Sequence, residues 1–198
     1  MDPDNRERMI LEGAVRFFAK RGFAAHTREL ADELGVSQSL VFHYFGSKEA
    51  LIERVYERNF LLGWRTDWVD QLRDRDKPLR QRLKEYYLSY LSVVDHHDWI
   101  RVAMFSGLEG NDLTRRYIET QVALIMRTIA EEINFRRWRR DGAEITPLDM
   151  ERVWHLHSSM IYYLIRKHLF KTAAVQSHKD LVDVVVDTFI DGIPGAHD

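Results

Sequence analysis

The chain has 198 residues, 45 % hydrophobic and 30 % charged, with no cysteine and a formal net charge of −2. That length and mixture suit one or two globular domains with a sizeable core, and the missing thiols exclude disulfides, thiolate metal sites and cysteine nucleophiles. The near-zero charge argues against a broadly basic nucleic-acid binder, and no run approaches the roughly 18 apolar residues of a membrane span.

The first ten residues, MDPDNRERMI, are charged and lack the apolar stretch of a secretory signal, so a cytoplasmic, non-membrane protein is expected. Apolar spacing is helical nearly throughout, and an all-α fold of about nine helices follows. The first runs from about Asn5 to Arg21. Its stripe Ile10, Leu11, Ala14, Val15, Phe17 and Phe18 recurs at three- and four-residue spacing. Lys20 and Arg21 suit the negative end of the helix dipole, with Gly22 as C-cap. Thr27 can N-cap a second helix over 28–34, closed by Gly35. Ser37 can cap a third over 38–45, closed by Gly46, and Ser47 a fourth from Lys48 to about Leu72. Further helices are expected over 79–94, a short one over 99–108, then over 112–138, from Thr146-Pro147 to about Phe170, and over 179–190. The texture change suggests a head of residues 1–50 and a larger helical domain of residues 51–198.

Two short helices joined by Gly35-Val36-Ser37 have the layout of a helix-turn-helix. The third helix, QSLVFHYF, carries side chains suited to a major groove. Gln38 can pair with adenine through donor and acceptor together, Ser39 can serve several bases, and Leu40 can meet a thymine methyl. His43, Tyr44 and Lys48 can hold phosphates, which sets register without reading sequence. Val41 and Phe45 share the inward face towards Leu30, Leu34 and Val36. Residues 1–50 hold seven basic and eight acidic side chains, so any grip on DNA must come from placement and not bulk charge.

Residues 10–51 resemble the DNA-binding domain of the TetR family of bacterial transcription regulators. The resemblance rests on F-A-x-x-G-F at the end of the first helix, then T-x-x-L-A, then G-V-S, then the aromatic block F-x-x-F-x-S-K-E-x-L. It implies DNA contacts by Thr27, Arg28, Gln38, Ser39, Leu40, Phe42, His43, Tyr44 and Lys48. Three positions depart from the family's pattern: Phe42 stands where Tyr is usual, Tyr44 where His is frequent, and His26 where a second Thr is common. The resemblance further implies a homodimeric regulator, most simply a repressor. It would bind a palindromic double-stranded operator and be released by a small-molecule effector.

For the larger domain the residues leave more open. Tyr86, Tyr90, Trp99, Phe105, Tyr117, Gln121, Trp154 and His157 could line an effector pocket or fill a core. MIYYLI, residues 160–165, is apolar nearly all round. With the last helix it suggests a dimer face of Val153, Met160, Tyr163, Leu164, Leu181, Val184, Val185 and Thr188. Asp95-His96-His97-Asp98 is expected at a helix C-terminus, with histidines favouring the dipole over a metal. The run Arg136–Arg140 is expected as a solvated helix end. No metal or cofactor motif, P-loop, G-x-S-x-G or G-x-G-x-x-G appears, so an enzyme is not expected. The competing reading is a helical small-molecule binder or adaptor whose DNA head is inactive.

Overall fold

The structure is a computed structural model that describes residues 2–138, 141–142, 144–175 and 177–193, without the side chain of Trp138. Every regular element among the described residues is helical. The helices gather into two compact units. Unit 1 is the chain up to Trp64 together with His96–Tyr117, and unit 2 is Arg65–Asp95 together with the chain from Ile118 on.

Unit 1 begins with α1 (Pro3–Arg21), whose Ile10, Leu11, Ala14, Phe17 and Phe18 are buried as the spacing requires. Then come α2 (Thr27–Leu34), α3 (Gln38–Phe45) and α4 (Lys48–Tyr56). Local chemistry sets these bounds. Gly35 closes α2 in the left-handed conformation at φ 65°. The Leu40 N–H donates to Ser37 Oγ at 3.2 Å, and the Ala50 N–H to Ser47 Oγ at 3.1 Å. The expected Thr27 cap is corrected. The helix already includes Thr27, His26 takes the cap position, and the Glu29 carboxylate accepts the His26 N–H at 3.4 Å.

The fourth helix does not reach Leu72. It relaxes into a π turn, Glu57–Leu61, and stops before Gly63, with α5 (Trp68–Arg73) separate. A π turn spoils the i→i−4 ladder, and a following glycine costs about 1 kcal/mol relative to alanine in a helix. After α6 (Leu79–Val94), unit 1 resumes with α7 (His97–Leu108) and α8 (Leu113–Tyr117). The expected helix over 112–138 is therefore divided: a π turn, Ile118–Val122, separates α8 from α9 (Ala123–Trp138). The Asp95–Asp98 cluster is corrected as well. Asp95 follows α6, but His97 opens α7, so the histidines do not sit at a helix C-terminus.

Unit 2 contains α5, α6, α9, α10 (Pro147–Ile165) and α11 (His178–Asp191), with a third π turn, Arg166–Phe170, after α10. Thr146 and Asp149 cap α10 reciprocally. Arg82 and Glu132 form a buried ion pair at 2.7 Å, and Arg75 adds a second guanidinium to Glu132 at 2.8 Å. Asp95 is surrounded by Lys167, His168 and His178, which tie the end of α6 to the segment between α10 and α11. These three donors hold its carboxyl at about 2, against 3.8 for an ordinary aspartate, despite burial that pushes the other way. Arg139 and Arg140 of the basic run lie outside the described residues. Among the described residues no group of three His, Asp or Glu is placed to hold a metal ion, and no helix is long and apolar enough to cross a membrane.

Candidate nucleic-acid interface

The exposed edge of α3 is built by burying its opposite side. Val41 and Phe45 are buried, as is Leu30 of α2, so the helix is fixed in rotation. That leaves Ser39 and His43 exposed, with Gln38, Leu40, Phe42 and Tyr44 half-buried. Arg28 is exposed at the start of α2, and Lys48 is half-buried at the start of α4. Eight of the nine expected DNA-contact residues thus keep accessible surface, and short helix N-termini accompany them.

Thr27 behaves differently. Only 6 % of it is exposed, and its Oγ1 accepts a hydrogen bond from Gln38 Nε2 at 2.9 Å. Ser39 is held comparably, its hydroxyl 2.9 Å from that of Ser37. The rings of His43 and Tyr44 meet edge to face at 5.3 Å. The two polar side chains at the leading end of α3 are therefore oriented before any partner arrives.

Two residues not anticipated from sequence hold this head in place. Glu109, just after α7, accepts the N–H groups of Phe23 at 2.6 Å and Ala24 at 3.0 Å, in the turn between α1 and α2. Arg101 of α7 donates to the Ala19 carbonyl at the end of α1. Gly22 sits between them at φ 80°, and a Cβ there would lie 2.0 Å from the Glu109 carboxylate. No local signal marks such a pairing, because the partners are more than eighty residues apart. Arg116 further reaches Glu53 of α4 through two contacts of 2.9 and 2.8 Å, which lowers the Glu53 carboxyl below its ordinary range.

The expected pocket residues fall into two groups. Trp99 and Tyr117 pack in unit 1 against Phe60, at 5.5 and 5.0 Å between ring centroids, and Phe105 lies under Arg101 at 5.3 Å. In unit 2, Tyr86, Tyr90, Trp154 and His157 form one aromatic cluster with Trp68 and Tyr87. Gln121 lies half-buried in the π turn before α9. Within the cluster the Tyr87 hydroxyl and His157 Nδ1 are buried and have no hydrogen-bond partner among the described residues. Burial keeps His157 neutral, with its pKa lowered from 6.5 to about 4.

Of the expected dimer residues, Val153, Met160, Tyr163, Leu164 and Leu181 are buried within unit 2. Val184 and Thr188 are exposed and Val185 half-buried, beside an open groove of about 460 Å³ that His155, Ser159 and Phe189 also line. Tyr162, 56 % exposed, adds an aromatic to the outer side of α10.

A capped helix-turn-helix with a polar, oriented leading edge is the layout that major-groove readers use. Residues 10–55 match the family model described as bacterial regulatory proteins, tetR family. The repressor KstR2 of Mycobacterium tuberculosis is 31 % identical over 100 residues, which is 48 % of this chain and 46 % of that protein. The repressor AcnR of Corynebacterium glutamicum is 46 % identical over 50 residues, covering 25 % of this chain and 27 % of its own. The chain spans about half the length of the first of these relatives and less of the second. Among solved structures, the TetR-family regulator PfmR of Thermus thermophilus superposes with a TM-score of 0.62 at 16 % identity, over 93 % of this chain and 98 % of its own. A linker-substituted mutant of HlyIIR does so at 0.69 and 17 %, over 94 % and 97 %. Over residues 10–55 the chain thus matches the tetR family of bacterial regulatory proteins, and its fold is that of the superposed structures.

Proposed function

We propose that this protein is a sequence-specific DNA-binding transcription regulator, a homodimeric repressor acting in the cytoplasm on a palindromic operator and released by a small-molecule effector. The observation that carries the reading is the leading edge of α3. Gln38 and Ser39 stand at the surface with fixed neighbours, flanked by exposed Arg28 and His43. The curated relatives named above are repressors, which favours repression. Two such heads on a two-fold dimer address half-sites about one helical turn apart. Val184, Val185, Thr188 and Tyr162 supply the unpartnered face of α10 and α11 for that dimer. The effector region is assigned to unit 2, lined by Tyr86, Tyr90, Trp154 and His157, because the buried Tyr87 hydroxyl and His157 Nδ1 want polar partners. Effector binding acts by favouring a spacing of the two heads that no longer matches successive major grooves.

The test is selection of random duplex DNA on the full chain, repeated at two salt concentrations. An inverted-repeat consensus lost on Gln38→Ala is expected. Because the head is near neutral, few phosphates are neutralised per half-site, and the salt slope should be modest. A slope near about −10, the signature of very many phosphate contacts, contradicts this mode of binding. No enrichment at low salt would favour a helical ligand binder with a silent head, and light scattering that showed a monomer at micromolar concentration would remove the dimer.

A further inference from the structure

Thr27 occupies a position where the family resemblance implies a DNA contact, yet it is buried and turned towards α3. Its Oγ1 receives one N–H of the Gln38 side-chain amide at 2.9 Å. A carboxamide has two N–H donors and one carbonyl acceptor. Once Thr27 holds one donor, the side that remains has one donor beside one acceptor. Adenine alone among the bases shows the complement in the major groove, an N7 acceptor beside an N6 amino donor. Guanine shows acceptors only, thymine one acceptor and a methyl, and cytosine a lone amino donor.

We propose that Thr27 is a positioning residue for base recognition: it fixes the Gln38 amide so that α3 reads adenine at one position of each half-site. The inference rests on the regulator reading above. Without the Thr27 hydroxyl the amide swings and can turn over, offering donor and acceptor in either order. Discrimination then weakens at that one base pair, while phosphate contacts elsewhere are untouched. Thr27 reaches DNA only through Gln38, so its effect disappears when Gln38 is gone.

The experiment compares the full-length wild type with T27V, T27S, Q38A and the double variant T27V/Q38A. Each is titrated against the duplex selected by the wild type and against that duplex changed one base pair at a time. Wild type is expected to prefer A·T at one half-site position, and Q38A to lose that preference. A hydrogen bond of this kind is worth about 0.5–1.5 kcal/mol net, so T27V should reduce the preference about twofold to thirteenfold at that position alone. T27S keeps the hydroxyl and should retain the preference, and T27V should add nothing in the Q38A background. If T27V weakened all duplexes equally, or acted as strongly in the Q38A background, Thr27 would be a structural or phosphate-binding residue and the inference would fall. A wild-type preference for guanine or thymine at the Gln38 position would overturn it too, since the hydroxyl would then be donating to a reversed amide. A selected operator with T27V unchanged removes this inference and leaves the regulator standing. The absence of any selected duplex for the wild type removes both.

Discussion

The leading edge of α3 and the aromatic core of unit 2 hold polar groups in opposite ways. At α3, Gln38 and Ser39 each have one bond to a neighbour and a remaining face open to solvent or DNA. In unit 2 the polar atoms are buried, and there the outcome splits. Glu132 is met by Arg82 and Arg75, whereas the Tyr87 hydroxyl and His157 Nδ1 meet no hydrogen-bond partner among the described residues. At the surface a half-satisfied group is inexpensive because water completes it. In a core the same state costs about 1–3 kcal/mol, so a core either completes its network or keeps an unsatisfied one at a loss.

The comparison breaks most easily at the completed network. Arg82→Ala strands the Glu132 carboxylate in the core and should cost about 3–5 kcal/mol, read as a fall in the urea midpoint. In unit 1 the polar ties run to backbone at a turn. Gly22→Ala adds a Cβ at positive φ and pushes Glu109 off two N–H groups, for an expected loss of about 2 kcal/mol. Glu109→Ala should cost less, and the double variant should fall short of the sum, because both changes remove the same contacts. Tyr87→Phe should be neutral or stabilising by up to about 1 kcal/mol, since it deletes an unpaired hydroxyl. A clear loss there would mean that the hydroxyl has a partner in solution.

Acid sharpens the contrast. His157 titrates near 6.5 when unfolded and at about 4 when folded, so the unfolded chain takes up its proton first. Its contribution is complete above pH 6.5 and drains away as pH falls towards 4. Asp95 follows lower down: its stabilisation is present above its ordinary 3.8 and is lost as pH falls towards about 2. His157→Phe should flatten the upper part of the acid curve and Asp95→Asn the lower, as measured by thermal midpoint against pH.

Many helix bounds are legible in sequence because their signals are local. Ser37, Ser47, Gly35 and the Thr146-Pro147 pair all act within a few residues of their own positions. The stripe of α1 needs only helical spacing. The three π turns are not legible, since their side chains keep a helical pattern while the backbone gains a residue. Nor is the division of the aromatics. Trp99 and Tyr117 look like Tyr86 and Trp154 in sequence, but the chain re-enters unit 1 at His96 and leaves it after Tyr117. MIYYLI reads as an interface because it is apolar all round; Met160, Tyr163 and Leu164 are instead inner residues of their own unit. At the reading edge, residue types suggest chemistry but not who orients whom, which needs the approach of Thr27 to Gln38.

The bonds from Glu109 and Arg101 to the α1–α2 turn bear on how this head can be transplanted. A chimera that carries only the first fifty residues into another protein strips Phe23 and Ala24 of their acceptor and the end of α1 of its guanidinium. The portable cassette is discontinuous: the opening segment travels with residues 96–117, and a graft junction belongs at the breaks near 64, 96 and 117.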